Sequence, residues 1–239
     1  MAQAPLPNPL HVLHDAAVMA RLAGAAPPPC RGLACRLGRP DEVLAAWLDA
    51  NLLADDLLID AELPGRHLVA WSGSLAADME AEEPRNWMGP GAAALRERMA
   101  ELEPQLAALG RSLLLRPHAA HVLSDVPSCL RWLERPGAAL AFDPGALLTV
   151  PMLALAEEHL ERSFRALAPR AAIVILEDVE APGADPEAPF PRRCPLGRGR
   201  LASAGVAALV RRFVPPEVPI VLGPGAMDAQ LAALGAAAG

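Results

Sequence analysis

Short apolar segments alternate with segments of helical periodicity along most of this chain, and this alternation limits the folds that it can adopt. Apolar segments that predict strands lie at residues 32–37, 57–59, 67–71, 112–116, 139–142, 172–176 and 219–222. Helical patterns lie at residues 16–23, 40–53, 92–109, 127–133, 149–167, 203–213 and 226–234. Strands that alternate with helices run parallel, and strands that are apolar on both faces belong to a sheet covered on both sides.

We therefore predict an α/β fold, a (β/α)8 TIM-like barrel that is shortened in its N-terminal half. A doubly wound open sheet gives the same local pattern, but the chain lacks the G-x-G-x-x-G fingerprint of dinucleotide-binding sheets. Three consecutive prolines at positions 27–29 break regular structure. We divide the chain there into an irregular N-terminal segment, residues 1–29, and one barrel domain, residues 30–239.

Composition limits the classes of binding partner and the cellular compartment that we expect for this protein. Hydrophobic residues make up 53% of the chain, which excludes a disordered protein, and the net charge of −7 disfavours nucleic acid as a partner. The sequence has neither a secretory signal nor the apolar run of about 20 residues that a membrane span requires. We expect a cytoplasmic protein with a small-molecule ligand, no membrane partner and no cofactor. No pattern indicates its oligomeric state, and the four cysteines lack metal-site spacing.

Polar side chains lie at or just beyond the ends of three predicted strands. Arg116 ends the strand at 112–116 and His118 lies two residues beyond it, Asp143 follows the strand at 139–142, and Asp178 lies two residues beyond the strand at 172–176. The carboxyl ends of parallel strands meet on one rim of a barrel, where ligands bind. We expect these side chains to share a pocket.

Five phrases in the chain resemble, in order, those of the xylose isomerase-like barrel superfamily, which includes sugar phosphate isomerases/epimerases and hydroxypyruvate isomerases. The phrases are LLLRPH, ALAFDPG, IVILEDV, PLGRGRL and PIVLGPG. The resemblance spans roughly residues 92–222, which is more than half of the chain, and leaves out its N-terminal part. The resemblance implies a TIM barrel with a site at the carboxyl ends of the strands.

The resemblance also implies a divalent cation held by Glu, Asp, His and Glu, and this chain retains one of these four ligands. The positions correspond to Arg116, Asp143, Ile175 and Gly223. A permanent guanidinium charge repels a cation and competes for the remaining carboxylate. We therefore predict no metal at this site, and a salt bridge between Arg116 and Asp143 in its place. Two roles for that pair remain open. It either has a structural role, in which the two charges at the barrel mouth neutralise each other, or it positions Arg116 to hold a ligand.

The same comparison gives each candidate residue a role. Arg116, Asp178 and Arg198 are the expected substrate-binding residues, and Asp143 and His118 are the expected acid/base residues. Glu177 is expected to point away from Asp178, into solvent. Four arginines around Gly197 and Gly199 form a candidate phosphate site: Arg192, Arg193, Arg198 and Arg200.

Three hypotheses on function remain open. The first is an isomerase/epimerase-like barrel with a degenerate metal site, which binds a sugar-like or phosphorylated ligand and performs metal-independent acid/base chemistry if it is active. The second is a non-catalytic barrel, a pseudoenzyme that acts in binding or assembly. The third is an active metal enzyme with displaced ligands, which would be Asp60, Glu62, Asp143 and Asp178.

Overall fold

The computed structural model describes residues 6–23, 30–53, 57, 59–182, 188–201 and 203–235. The strands are β1 (Leu10–Asp15), β2 (Gly32–Arg36), β3 (Arg39–Asn51), β4 (His67–Trp71), β5 (Ser112–Arg116), β6 (Ala141–Phe142), β7 (Ile173–Glu180), β8 (Arg192–Pro195) and β9 (Ile220–Leu222). The α-helices are α1 (Ala16–Leu22), α2 (Gly89–Ala108), α3 (Val126–Leu133), α4 (Ala156–Leu167), α5 (Ser203–Phe213) and α6 (Met227–Leu234).

Eight strands form a sheet in the order β5-β4-β3-β2-β1-β9-β7-β6. A parallel bridge between Leu115 and Leu140 brings the two ends of this order together. Strand β2 runs antiparallel to β1 and β3, whereas the other neighbours in the sheet are parallel. The expected α/β TIM-like barrel is confirmed, with one strand reversed.

The barrel interior is filled by one inward-facing set of side chains. This set comprises Ala34, Ala45, Trp47, Val69, Leu114, Ala141, Ile173, Ile175 and Val221. Their neighbours in sequence point outward and pack against the helices, as Leu113 and Leu115 do on β5. Because side chains alternate along a strand, each interior residue also fixes which later residues of its strand face the barrel axis.

The helices cover the barrel through the apolar stripes that the sequence predicts. Four residues of α2 at helical spacing are buried, and α4 buries three more; these are Leu95, Met99, Leu102, Leu106, Leu160, Phe164 and Leu167. Helix α3 begins at a capping box formed by Asp125 and Ser128. None of the described helices is long and apolar enough to cross a bilayer.

The N-terminal half differs from the sequence prediction. The helix expected over residues 40–53 is strand β3, because its apolar run, VLAAWL at 43–48, is buried on both faces and carries no diagnostic period. The strand expected at 57–59 is not seen: Leu57 and Ile59 lie outside any strand, and Leu58 falls outside the described residues. Strand β1 lies within the segment expected to be irregular, whereas helix α1 coincides with the helical pattern at residues 16–23.

Replacement of Leu114, inside the barrel, tests this arrangement. Leu114→Ala leaves a cavity among closely packed side chains and is expected to reduce the free energy of unfolding by about 2–5 kcal/mol. The matched change Leu22→Ala, at the exposed end of α1, is expected to cost less than about 0.5 kcal/mol. Urea unfolding measures both, and equal losses would contradict the assigned interior.

Candidate functional site

Inward-facing positions at the carboxyl ends of four strands bring polar and aromatic side chains to the barrel mouth. Each of these residues follows an interior residue of its own strand by two positions, so its direction is set by strand geometry. They are Trp71 after Val69, Arg116 after Leu114, Asp143 after Ala141, and Glu177 after Ile175.

Arg116 and Asp143 form the predicted salt bridge at the centre of the mouth. Arg116 Nε donates to Asp143 Oδ2 at 2.9 Å, and its Nη2 donates to the same oxygen. Arg116 Nη2 also donates to Glu177 Oε2 at 2.7 Å. Asp143 is fully buried, and its other oxygen accepts a hydrogen bond from the backbone of Ala146. The expected pair therefore belongs to a larger cluster.

Arg193 is the fourth member of this cluster, and strand β8 brings it there. Strand β7 continues past the sheet and pairs antiparallel with β8 through Glu177–Glu180. Arg193 Nε donates to Glu177 Oε2 at 2.7 Å, and its Nη2 contacts both Asp143 and Glu177. The mouth cluster, defined as Arg116, Asp143, Glu177 and Arg193, thus contains two cations and two anions.

The cluster favours the charged forms of Asp143 and Arg193. Burial opposes ionisation of Asp143, but the charges of Arg193 and Arg116 outweigh it and lower the pKa of this carboxyl. Burial likewise opposes the charge on Arg193, and the charges of Asp143 and Glu177 outweigh that effect and raise its pKa. A carboxyl that is buried, doubly paired and of lowered pKa is a poor general base.

Trp71 and Gly223 shape the space around the cluster. The Arg116 guanidinium lies over the Trp71 ring, 4.1 Å from its centroid, which is a cation–π contact. A Cβ atom at Gly223 would lie 2.8 Å from Glu177 Oε1, so the Glu177 carboxylate occupies the space beside this glycine. A side chain at this position would require the Glu177 carboxylate to shift.

Glu177 does not face solvent, contrary to the expectation from the sequence. Its side chain is 14% exposed and lies in the mouth cluster. The sequence carried a signal for this, because the resemblance places Ile175 at a metal-ligand position, which must face the barrel mouth. Two residues further along the same strand, Glu177 must face inward as well, and Asp178 must face outward.

The residues at the mouth do not fit the divalent cation that the sequence resemblance implies. Two guanidiniums occupy the mouth, both inward carboxylates are bonded to them, and Ile175 and Gly223 offer no ligand atoms. Among the described residues, no group of three His, Cys, Asp or Glu side chains is arranged to hold a metal ion. We derive no chemical step through a metal.

A cavity of about 450 Å³ opens above the mouth cluster. It is lined by Leu13, His14, Asp15, Arg31, Gly32, Trp47, Arg116, Glu177, Arg193 and Pro224. Trp47 Nε1 and Arg193 Nη1 are buried, and within the described part of the chain neither has a hydrogen-bond partner. Both groups can only donate hydrogen bonds, so the cavity offers donors to a ligand that carries acceptor oxygens.

His118 lies beside the cluster in a group of aromatic rings. Its ring centroid is 5.5 Å from Trp71, 4.8 Å from His121 and 5.3 Å from Phe190. Burial, with the nearby charges of Arg193 and other groups, places the pKa of His118 well below its ordinary value. Its Nδ1 accepts a hydrogen bond from the backbone of Ala120 at 3.2 Å, which leaves Nε2 to carry the proton of the neutral ring. His118 is not among the residues that line the cavity.

The structure does not bring Asp178 to the mouth. Its carboxylate is fully buried on the outer face of β7, where it accepts hydrogen bonds from the backbones of Val179, Gly197 and Leu201. Gly199 passes so close that a Cβ there would lie 2.4 Å from Asp178 Oδ1. Asp178 therefore anchors the loop that follows β8.

The four arginines of the candidate phosphate site do not converge. Arg193 belongs to the mouth cluster, whereas Arg192 pairs with Glu180 at 3.0 Å. Arg198 and Arg200 are exposed on the loop after β8. Asp60 and Glu62, the alternative metal ligands, lie in a turn in which the Glu62 backbone donates to Asp60 Oδ1, and neither lines the cavity.

Comparisons with known proteins give a likeness of fold. Neither a protein-family model nor a curated protein matches this chain. The probable 3-DHS dehydratase AsbF of Bacillus anthracis, involved in petrobactin synthesis, matches with a TM-score of 0.50 at 14% identity. That match covers 80% of this chain and 73% of the other.

Two sugar epimerases match equally well in structure. A D-psicose 3-epimerase determined in the presence of D-fructose and an L-ribulose 3-epimerase each give a TM-score of 0.50 at 13% identity. The matches cover 76% and 77% of this chain, and 64% and 62% of the epimerases. The chain thus spans less than two thirds of either epimerase. These likenesses confirm the expected barrel fold.

Removal of one charge from the mouth cluster should destabilise the fold strongly. Asp143→Asn leaves both guanidiniums with Glu177 as their remaining carboxylate, and a broken buried ion pair costs about 3–5 kcal/mol. Glu161→Gln removes an exposed ion-paired carboxylate and is expected to cost less than about 1 kcal/mol. Urea unfolding at neutral pH measures both, and a loss below about 1 kcal/mol for Asp143→Asn would contradict the described cluster.

The buried histidines should make stability depend on pH. Burial lowers the pKa of His121 from 6.5 to about 4, so between these values the unfolded chain binds more protons than the folded one. Stability should therefore fall as the pH falls from about 6.5 to about 4. The double variant His118→Gln, His121→Gln should show a shallower fall in that window. Unfolding free energies measured across it would contradict this assignment if the slope stayed unchanged.

Proposed function

We propose that this chain is a sugar isomerase/epimerase-like barrel that binds a small polyhydroxylated or phosphorylated ligand at its mouth, without a divalent cation. The observation that carries the proposal is the mouth cluster beneath a cavity of about 450 Å³, a volume typical of small-molecule sites. Charged residues that are costly to bury are concentrated at the rim where barrels bind their ligands.

The lining of the cavity supports a ligand rich in oxygen atoms. Trp47 Nε1 and Arg193 Nη1 are buried donors that lack partners in the described part of the chain. Hydroxyl, carboxylate and phosphate oxygens can accept from both. One barrel of similar fold was determined in the presence of D-fructose. We carry over only that class of compound, a small polyhydroxylated molecule.

A binding role without turnover is the second candidate, and the state of the acid/base groups favours it. Proton transfer between adjacent carbons needs a group that can accept a proton. Both carboxylates of the mouth cluster are bonded to guanidiniums, and His118 Nδ1 already accepts a hydrogen bond. Metal-independent catalysis requires that one of these groups be released when the ligand binds.

Calorimetric titration of the full chain with D-fructose, a sugar acid and a sugar phosphate tests the proposal. At least one compound is expected to bind, and Trp47→Phe should weaken its binding about three- to tenfold, because one hydrogen bond is lost while the ring is retained. The control is Trp87→Phe, which removes an indole donor that bonds to Ala119 away from the cavity. It should bind as the parent does.

Two further readouts separate the hypotheses. Mg²⁺ or Mn²⁺ should leave the melting temperature unchanged, and a saturable rise would contradict the metal-free site. NMR spectra of the bound compound distinguish turnover from binding alone. Failure of all three compounds to bind, or a Trp47→Phe variant that binds as tightly as the parent, would refute the proposed mouth site.

A further inference from the structure

A second cavity, here called the lower cavity, lies on the opposite rim of the barrel from the mouth cluster. It has a volume of about 170 Å³ and lies where β5 and β6 begin. Arg111 and Ser112 line it at the start of β5, and Gly137 and Ala138 line it ahead of β6. It shares no lining residue with the mouth cavity, so a ligand in the lower cavity is independent of the function proposed for the mouth.

Three buried donor atoms in the lining lack partners. They are Arg111 Nη1, Trp132 Nε1 and Arg135 Nη1, and none has a hydrogen-bond partner within the described ranges. Trp132 is only 6% exposed. Buried polar groups without partners are rare in native proteins, because each one costs free energy of desolvation. The three belong to residues that all line this small cavity, although Trp132 and Arg135 also line a neighbouring cavity of about 300 Å³, and they call for a common explanation.

All three groups are chemically alike in that they donate and never accept. They therefore cannot satisfy one another, and only a species with several acceptor atoms can satisfy them together. Two of the three are permanent cations. Glu103 is the one carboxylate among the lining residues, and its side chain is 51% exposed to solvent. The lining therefore favours an anion.

The neighbouring contacts hold the guanidiniums in place through their other atoms. Arg111 Nη2 donates to the carbonyl of Ala61 at 2.9 Å. Arg135 stacks over the Trp132 ring at 4.5 Å from its centroid, and its Nη2 lies 3.4 Å from Glu103 Oε1. These contacts involve the Nη2 atoms and leave both Nη1 atoms for a ligand.

We propose that the lower cavity binds a small tetrahedral oxyanion, namely a phosphate group. Arginine donors bind phosphate oxygens strongly, and the indole N–H adds a third donor. A volume of about 170 Å³ is below the roughly 300–1,000 Å³ of sites for drug-sized ligands, so the cavity suits one phosphate group rather than a nucleotide. Such a site would let phosphate stabilise the barrel from the rim opposite the mouth.

Calorimetric titration with inorganic phosphate, at constant ionic strength set with chloride, tests the site. Arg135→Gln should weaken binding at least about tenfold, since it removes a charge-assisted hydrogen bond. Trp132→Phe should weaken it less. The matched control is Arg131→Gln, which removes the same charge from an exposed position on α3 outside the lower cavity. Trp47→Phe identifies any phosphate that binds at the mouth instead of the lower cavity. Arg131→Gln should leave the affinity for phosphate unchanged.

Several outcomes would overturn the site. The first is the absence of saturable phosphate binding. The second is an equal loss of phosphate affinity in Arg131→Gln and Arg135→Gln. The third is a loss of phosphate affinity in Trp47→Phe with no loss in Trp132→Phe. Water molecules alone in the lower cavity of a crystal grown with phosphate would do the same. Thermal unfolding without phosphate shows whether each variant is folded. Ribose 5-phosphate is the second probe: equal affinity indicates that a phosphate ester enters, and weaker affinity indicates free phosphate.

Discussion

Mutual neutralisation of two guanidiniums and two carboxylates at the barrel mouth is the interaction on which the candidate site depends. A single buried charge would cost several kcal/mol to desolvate, so each member of the cluster requires the others. Asp143 Oδ2 and Glu177 Oε2 each contact both Arg116 and Arg193. Arg193 reaches these carboxylates because β7 extends past the sheet and pairs with β8, the strand that carries Arg193.

The cluster also explains why the mouth differs from that of a metal-binding barrel. At the centre of such a mouth, a cation attracts carboxylates that converge on it. Here the guanidiniums provide the positive charge, and Glu177 fills the space beside Gly223 that a longer side chain would need. The charges are fixed on the protein, and Trp47 and Arg193, which line the cavity, each carry a buried donor that lacks a partner in the described part of the chain. This arrangement suits recognition of oxygen atoms better than proton transfer.

The C-terminal two thirds of the fold could be predicted, because strands and helices there carry distinct periods. The predicted strand at 112–116 coincides with β5, and the stripes of α2 and α4 are buried as expected. The prediction failed for β3, because its apolar run has neither the period of a helix nor that of a strand. It also failed for the direction of β2, because that direction depends on the pairing of β2 with β1 and β3. Arg193 was predicted as part of a phosphate loop, since no local pattern shows that β8 turns back over the mouth.

The sequence by itself determined the strand and helix alternation, the resemblance to isomerase and epimerase barrels, and the pairing of Arg116 with Asp143. These features depend on short-range periodicity and on residues at the ends of neighbouring strands. The tertiary structure alone decided that Glu177 rather than Asp178 faces the axis, that Arg193 joins the cluster, and that three unpartnered donors surround one cavity. Such features depend on side-chain direction and on contacts between residues far apart in the chain, which no local pattern encodes.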